Sequence, residues 1–315
     1  MASDPYDLIC LGGAAVDIVL HAPRLPKSDE KLVVRYGGRF GGGLVANAAC
    51  AAARLGLRTA WSGVLGSDEN AEHLIEEFET FGVHTEMART VLGRSTDFTV
   101  IVVEPDGKRT ILIAPVHSQL PPLDRELRTA LASARFAYAL PVEAHWFSPF
   151  AAAVHAGRGQ VAVDLEASAP ARGAELKQAL SQSDIVFCSR DGLEHATGEA
   201  DTDAAAKTLL GWGPQLVVVT LGSQGAEAFA AGQHWQASAE TVRVLDTTGA
   251  GDCFHAGFLA ALARSWSVPE ALRFGVTAAS CVVQQVGARS GLPTWNEVVE
   301  LLKRDANNPS AGSGV

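Results

Sequence analysis

The chain has 315 residues, 47% of them hydrophobic and 19% charged, with 25 Lys and Arg against 35 Asp and Glu for a net charge of −10. That length and apolar content suit one large α/β core carrying a small accessory lobe and exclude a disordered chain. The acidic balance excludes a general nucleic-acid binder, whose affinity for phosphate backbones comes from clustered Lys and Arg. An anionic ligand would have to be held by local backbone dipoles and a few placed cations. Cys10, Cys50, Cys188, Cys253 and Cys281 lie scattered in apolar runs with no Cys-x-x-Cys pair. They read as small buried hydrophobes, not as a zinc or disulfide framework. The N-terminal stretch carries acids where a signal peptide needs cations, and no run approaches the ~18 apolar residues of a membrane span. The expected setting is the reducing cytoplasm, without membrane or nucleic-acid partners.

In chain order, Leu8–Leu11 reads as a buried strand, followed by extended segments at Asp17–His21 and Lys31–Tyr36. Val45–Leu55 is an alanine-rich helix ended by Gly56, and Thr59–Val64 is the next strand. Ser67 or Asp68 caps a helix running through Phe81, with Gly82 as its terminator. Thr96–Val103 and Arg109–Ala114 form a second extended pair, joined by Glu104-Pro-Asp-Gly as a hairpin signal. Short apolar strands at Phe136–Leu140, Val161–Asp164, Ile185–Cys188 and Leu216–Leu221 then alternate with helices near 145–157, 172–182 and 202–211. This alternation predicts an α/β fold with a mostly parallel central sheet flanked by helices. The partly apolar extended segments suit a small sheet with one wet face. Residues 1–304 therefore read as a single domain whose β-sheet lid is formed by about 14–40 and 95–117, and 305–315 as a flexible tail.

The segment Asp246-Thr-Thr-Gly-Ala-Gly-Asp-Cys-Phe-His-Ala-Gly-Phe runs from small residues straight into a helix. Gly249, Ala250 and Gly251 leave their N–H groups free to converge on an anion at the helix N-terminus. Asp252 sits in the first turn beside that pocket. A carboxylate there is either a helix-stabilising acid or a base that takes a proton from an attacking hydroxyl, as phosphoryl transfer to an alcohol requires. Gly41-Gly-Gly-Leu-Val-Ala-Asn is a glycine turn entering another helix. Gly42 and Gly43 permit close backbone approach to a ligand, and Asn47 offers both donor and acceptor to sugar hydroxyls. Asp17, after Gly12-Gly-Ala-Ala-Val, is an acid in an extended segment. Val217-Val-Val-Thr-Leu-Gly-Ser-Gln-Gly leaves a strand for a turn holding Thr220, Gly222 and Gly225. No Gly-x-Gly-x-x-Gly follows the first strand and no Gly-x-x-x-x-Gly-Lys-[Ser/Thr] occurs, so neither Rossmann nor Walker-type nucleotide binding is expected.

These segments resemble the two signatures and the nucleotide loop of the PfkB, or ribokinase-like, carbohydrate kinases, in the family's order from Asp17 to about Pro293. The resemblance implies a ribokinase-like fold whose β lid closes over a sugar, and transfer of the γ-phosphoryl group of ATP to a sugar hydroxyl. By that resemblance Asp252 is the general base, with the amides of Gly249, Ala250, Gly251 and Asp252 as anion hole. Asp17, Gly42, Gly43 and Asn47 would hold the sugar, and Ser189, Thr220, Gly222 and Gly225 the nucleotide. Mg2+ would bridge the phosphates, and a monovalent cation such as K+ would lie near Asp246, Thr248 and Gly287.

The family's Asn-x-x-Glu motif for Mg2+ is replaced here by Ser189-Arg-Asp-Gly, with Gly192 for the glutamate and Glu194 or Asp191 as substitutes. The ketohexokinase-like and sulfofructose-kinase-like branches depart there too, and stretches 41–56 and 287–293 are most similar to the latter. No arginine lies around Ala139–Trp146 to hold a sulfonate or phosphate. A lid cation, Arg35, Arg39, Arg94 or Arg109, would serve an anionic sugar, and a neutral ketose or pentose is equally open. A nucleoside kinase of the same fold, with Phe40 as stacking surface, and a non-catalytic sugar sensor are the alternatives. His21, His117 and His145 fall on the lid or the pocket rim and carry no assigned role. The edge of a small sheet invites pairing, so a homodimer through the lid is one expectation.

Overall fold

Every residue of the first strand, β1 (Leu8–Leu11), is buried, with Leu8 and Cys10 in one apolar cluster and Ile9 and Leu11 in another. A strand covered on both faces can be apolar without interruption, which is the pattern of a parallel sheet between helices. This computed structural model describes residues 4–115, 120–166 and 171–307. From β1 the chain passes through β2 (Ala15–His21), β3 (Arg35–Gly42), α1 (Leu44–Arg54), β4 (Thr59–Ser62) and β5 (Val64–Leu65). It continues through α2 (Glu69–Phe81), β6 (Arg89–Thr90), β7 (Phe98–Val103), β8 (Arg109–Ala114), α3 (Arg125–Ser133) and β9 (Phe136–Ala139). Next come α4 (Ala144–Ala156), β10 (Gln160–Leu165), α5 (Gly173–Leu180), β11 (Ile185–Ser189), α6 (Arg190–Thr197) and α7 (Thr202–Leu210). The last elements are β12 (Leu216–Thr220), β13 (Ala226–Ala230), β14 (Gln233–Ala237), α8 (Ala250–Ala263), α9 (Val268–Val282) and α10 (Trp295–Asn307).

The central sheet has the order β14-β13-β12-β11-β10-β9-β1-β4, with β4 through β12 parallel and β13 and β14 antiparallel. Helices α1, α2, α8, α9 and α10 contribute to the apolar cluster on one face, and α3 to α7 to the cluster on the other. The chain therefore has the mostly parallel central sheet flanked by helices that its alternating segments implied. Cys10, Cys50, Cys188 and Cys253 are buried free thiols, in keeping with their reading as small hydrophobes. Among the described residues no helix is long and apolar enough to cross a membrane.

A second sheet, β3-β2-β7-β8, stands apart from the first, with β2 parallel to β7 and the other pairs antiparallel. The expected hairpin at Glu104–Gly107 joins β7 to β8, and Asp68 and Gly82 bracket α2 as their capping chemistry predicts. The strand expected at Lys31–Tyr36 is displaced: it runs from Arg35 to Gly42 and takes in glycines that read as a turn. Those glycines are compatible with a strand because neighbouring side chains fill the space their Cβ atoms would need, His21 at Gly37 and Asp17 at Gly42. The turn itself is confined to Gly43, the N-cap of α1, at φ 96°. Helix α10 extends to Asn307, so the region expected as tail from 305 begins helically. His117 and residues 308–315 lie outside the described residues.

α8 is buried almost all round, and it reaches the sheet through Phe187 of β11. The Phe187 ring lies 4.4 Å from the His255 ring and 5.5 Å from that of Phe258, centroid to centroid. Removing a fully buried ring leaves a void that the surrounding helices fill only partly. Phe187→Ala is therefore expected to lower unfolding free energy by about 3–5 kcal/mol, read as a shifted urea midpoint with native circular dichroism retained before the transition.

Candidate active site

The entry to α8 follows from backbone geometry that only glycine tolerates. Gly249, the N-cap, has φ 77°, and a Cβ there would stand 2.6 Å from the carbonyl oxygen of Ala288. At Gly251 a Cβ would meet nothing within 4 Å, so this face of the first turn is open to a ligand. Asp252 follows at 4% exposure. Burial pushes its carboxyl up to about 7, and Glu166 pushes the same way, against a hydrogen bond from Asn47 and the charge of Arg289. Desolvation outweighs the stabilising contacts, and the group is poised near neutrality, where a general base works best.

Asn47 is buried in α1 and donates from Nδ2 to Oδ2 of Asp252 at 2.8 Å. Its Oδ1 accepts from Nε of Arg289 at 2.9 Å, and Nη2 of Arg289 donates to the carbonyl of Gly42 at 3.1 Å. Nη1 of the same guanidinium lies 3.3 Å from Oε2 of Glu77 on α2. Asp17 on β2 accepts from the Thr99 hydroxyl of β7, and its carboxyl lies against Gly42, where a Cβ would overlap it. Burial raises the Asp17 carboxyl, with the Thr99 hydrogen bond and Arg289 opposing and Glu77 adding to the rise. Asp17, Gly42, Asn47 and Asp252 are thus linked through contacts with one another and with Arg289, and Gly43 caps the helix that carries Asn47.

A cavity of about 520 Å³ lies beside the α8 entry. Thr220, Gly222 and Gly225 line it together with Thr247, Ala250 and Gly251, and Phe254, Val276 and Ala279 form apolar wall. Ser189 is not among the lining residues. Its hydroxyl accepts from the amide of Gly192 at 3.1 Å as the N-cap of α6. A side chain at Gly192 would stand 2.5 Å from the carbonyl of Leu165, and Asp191 and Glu194 are exposed.

Carboxylates near Asp252 come instead from the end of β10. Asp164 is 1% exposed with neither oxygen hydrogen-bonded, and its carboxylate, that of Asp252 and a ring nitrogen of His255 lie within 4.8 Å of one another. Burial, with Glu166 and Asp252 nearby, holds the Asp164 carboxyl well above its ordinary range, and burial raises Glu166 as well. His255 Nδ1 pairs with the Tyr138 hydroxyl at 2.9 Å, and burial pushes the imidazole down to about 3, so it is neutral.

Asp246, Thr248 and Gly287 also meet. Asp246 Oδ1 accepts from the Thr248 amide at 3.0 Å and hydroxyl at 2.7 Å, and Oδ2 accepts from the Gly287 amide at 3.0 Å. Arg109, at the start of β8, donates to Asp246 Oδ1 at 2.7 Å, to Thr247 Oγ1 at 3.1 Å and to the Thr248 hydroxyl. Burial alone would raise the Asp246 carboxyl, but these hydrogen bonds and the Arg109 charge hold it below its ordinary value. Of the other cations of the small sheet and its surroundings, Arg39 is bonded to Glu69 and Asn70 of α2, and Arg35 and Arg94 are exposed. Phe40 lies over Gly38 of its own strand, and His145 is exposed.

Arg289, Asp164 and Glu166 are the site residues that sequence reasoning did not single out. A lone arginine between small residues in a loop looks like any solvated side chain, and nothing local in the sequence marks Arg289 as buried.

Residues 6–295 match the pfkB family carbohydrate kinase. The chain is 31% identical to ribokinase of Haemophilus influenzae over 94% of this chain and 98% of that protein. It is 24% identical to a nucleoside kinase of Methanothermobacter thermautotrophicus over 95% of this chain and 96% of that one. Among solved structures, Arabidopsis thaliana ribokinase complexed with ribose and ATP superposes with a TM-score of 0.86 at 28% identity, over 95% of this chain and 99% of that one. Ribokinases and a nucleoside kinase are among its relatives. The chain belongs to the PfkB family of carbohydrate kinases, phosphotransferases that carry a phosphoryl group from ATP to an alcohol.

Proposed function

We propose that this protein transfers the γ-phosphoryl group of ATP to a hydroxyl of a small neutral sugar of the pentose type, with Asp252 as general base. The observation that carries the reading is the buried Asp252 carboxylate, raised to about 7 and next in sequence to two residues that line the nucleotide cavity. The triphosphate would enter by Gly222 and Gly225, with its γ-phosphate over the amides of 249–252, where the helix dipole favours negative charge. Asp17 and Gly42 would orient the sugar so that its acceptor hydroxyl meets Asp252. As that oxygen bonds to phosphorus its proton passes to Asp252, the bond to the β-phosphate oxygen breaks, and ADP leaves.

A neutral acceptor is favoured because Arg289, Arg39 and Arg109, three cations near the sugar side, already have protein acceptors. Arg289 faces Asn47, Gly42 and Glu77, Arg39 is bound to α2, and Arg109 to the 246–248 loop. The carboxylates of Asp17 and Glu77 would repel a sulfonate or phosphate. Ribose bound with ATP in the Arabidopsis ribokinase structure points the same way.

For Mg2+, Gly192 offers no side chain and the Ser189 hydroxyl caps α6, whereas Asp164, with Glu166 near it, would hold the ion. The two oxygens of Asp164, neither of them hydrogen-bonded, are hard donors of the kind Mg2+ takes. Bound with the nucleotide, Mg2+ would neutralise phosphate charge. The monovalent cation expected at Asp246, Thr248 and Gly287 does not fit these residues as they stand. The Asp246 oxygens already accept from Thr248, Arg109 and Gly287, and Gly287 presents N–H rather than oxygen.

The deciding experiment is ADP release with Mg-ATP on pentoses, ketoses, phosphosugars, sulfofructose and nucleosides, with Asp252→Asn as the blank. Turnover on a neutral pentose, reduced by about 10³-fold or more in the variant, is the expected result. Turnover on nucleosides alone would replace this substrate reading, and undiminished turnover by Asp252→Asn would remove Asp252 as base.

pH dependence follows from the same carboxylate. The base must be unprotonated, so kcat/KM is expected to rise with pH through about 7. Stability runs the other way. A carboxyl raised from 3.8 to about 7 binds its proton more tightly in the folded state, so stability falls as pH rises through that interval. Asp252→Asn escapes that loss and is expected to melt at a higher temperature than the parent above neutrality.

Replacing K+ by a large organic cation at constant ionic strength is expected to change kcat less than about twofold, because Arg109 meets Asp246 instead. A strong K+ requirement would show that Arg109 leaves this position. We also propose that the small sheet pairs with that of a second copy. Ile111 and Ile113 on the edge strand β8 are 52% and 72% exposed, an apolar edge that proteins ordinarily cover. Sedimentation equilibrium is expected to give a dimer, and Ile111→Lys with Ile113→Lys a monomer.

A further inference from the structure

The side chain of Arg289 is 3% exposed, yet it caps no helix and lines no part of the nucleotide cavity. A buried guanidinium is costly unless its donors are met, and here they are met unequally. Nε and Nη2 donate to Asn47 Oδ1 and to the Gly42 carbonyl, while Nη1 lies near Glu77 without hydrogen-bond geometry. The stronger consequence falls on Asn47. A side-chain amide can present either its oxygen or its nitrogen to a neighbour by turning over. Arg289 offers only donors, so the Asn47 oxygen must face it and the NH2 must face Asp252. A donor 2.8 Å from Asp252 stabilises the carboxylate, the form able to accept a proton.

We propose that Arg289 is a positioning residue for the base: it locks the Asn47 amide in the orientation that donates to Asp252, and it is the positive charge that offsets the acids gathered around that carboxylate. The proposal rests on Asp252 acting as base. It gives Asn47 a different role from the one its sequence position suggested, because its oxygen is taken by Arg289 and one of its N–H groups by Asp252. The groups that face this centre come from five elements. Asp164 and Glu166 lie at the end of β10, His255 on α8 and Tyr138 on β9, while Asp17 on β2 and Glu77 on α2 stand near the guanidinium. All are acidic or neutral, so Arg289 alone in this group favours the charged form of Asp252 by its own charge.

The loop that carries Arg289 is placed to serve this purpose. Gly287 is tied to Asp246, Ala288 packs on the backbone of Gly249, and a Cβ at Gly41 would overlap Nη1 of Arg289. One short loop therefore touches the anion-hole turn with one residue and the partner of the base with the next.

The test compares the parent with Asp252→Asn, Arg289→Met, Arg289→Lys, Asn47→Ala and the double variant Arg289→Met/Glu77→Gln. The double variant leaves no unpaired glutamate and so guards against misfolding, checked by its thermal melt. With a substrate from the ADP-release panel, loss of Arg289 is expected to lower kcat roughly 10- to 100-fold. The acid limb of kcat/KM should move to higher pH, with a smaller change in sugar KM. Arg289→Lys keeps the charge but not the fork, so it is expected to restore part of the pH displacement without restoring kcat. In an Asn47→Ala background, removing Arg289 is expected to cost less than about threefold more in kcat, since the amide it orients is gone. An unmoved acid limb with parental kcat, or full additivity of the Asn47 and Arg289 effects, would overturn the proposal. Turnover by Asp252→Asn would instead overturn the assignment of the base, and the two failures are separable.

Discussion

A carboxylate in the first turn of a helix ordinarily gains from the dipole and from solvent together. At Asp252 the solvent is missing, and the balance of forces around this one group organises the site. The dipole, the Asn47 hydrogen bond and the Arg289 charge all favour ionisation, yet burial prevails and brings the carboxyl to about 7. A residue retained only to start α8 would be better placed at the surface, where the same dipole interaction costs no desolvation. The arrangement sacrifices folding stability for a group that changes protonation near neutral pH, and that exchange is intelligible for the base proposed here.

The fold holds this group in place chiefly with backbone. α8 is sunk between the sheet and α9, close enough that a Cβ on Gly257 would stand 3.2 Å from the Cα of Gly275. Around the entry to α8, glycine lets chain segments approach more closely than side chains permit: Gly249 against Ala288, Gly41 beneath Arg289 and Gly42 against Asp17. Each of these positions serves a contact made by another residue. The glycines are therefore the negative image of the site, shaped by Arg289, Ala288 and Asp17 from outside.

Much of this was legible in the sequence. The parallel sheet followed from short apolar runs alternating with helical patterns, because strands covered on both faces carry no polar positions to disguise them. Asp68, Gly82 and Gly56 marked helix ends because capping is local chemistry. The glycine-rich run before Asp252 stood out because stability alone does not call for it. The strand at Arg35–Gly42 was misplaced for the converse reason. Its glycines look like a turn until the side chains of His21 and Asp17, distant in sequence, are seen to fill the space beside them. Arg289 and Asp164 were illegible on the same principle. Nothing beside them in the chain distinguishes a buried arginine or a buried aspartate from an exposed one, and only the assembled fold brings them to Asp252. Ser189, a position matched by resemblance, carries in addition a local task that its sequence context allows, as the cap of α6.

Arg109 has a consequence for the two ligands taken together. It is rooted in β8 of the small sheet, while its guanidinium grips Asp246, Thr247 and Thr248, and Thr247 lines the cavity proposed for the nucleotide. Moving the small sheet must pull on that wall, and reshaping the wall must pull on the sheet. A ligand that prefers one placement of the sheet therefore changes the affinity of the cavity for its own ligand, and thermodynamic linkage requires the same factor in return. Reciprocity between the two binding events would in that case run through contacts of this kind, Arg109 to the 246–248 loop and Arg39 to α2, without any change in either core.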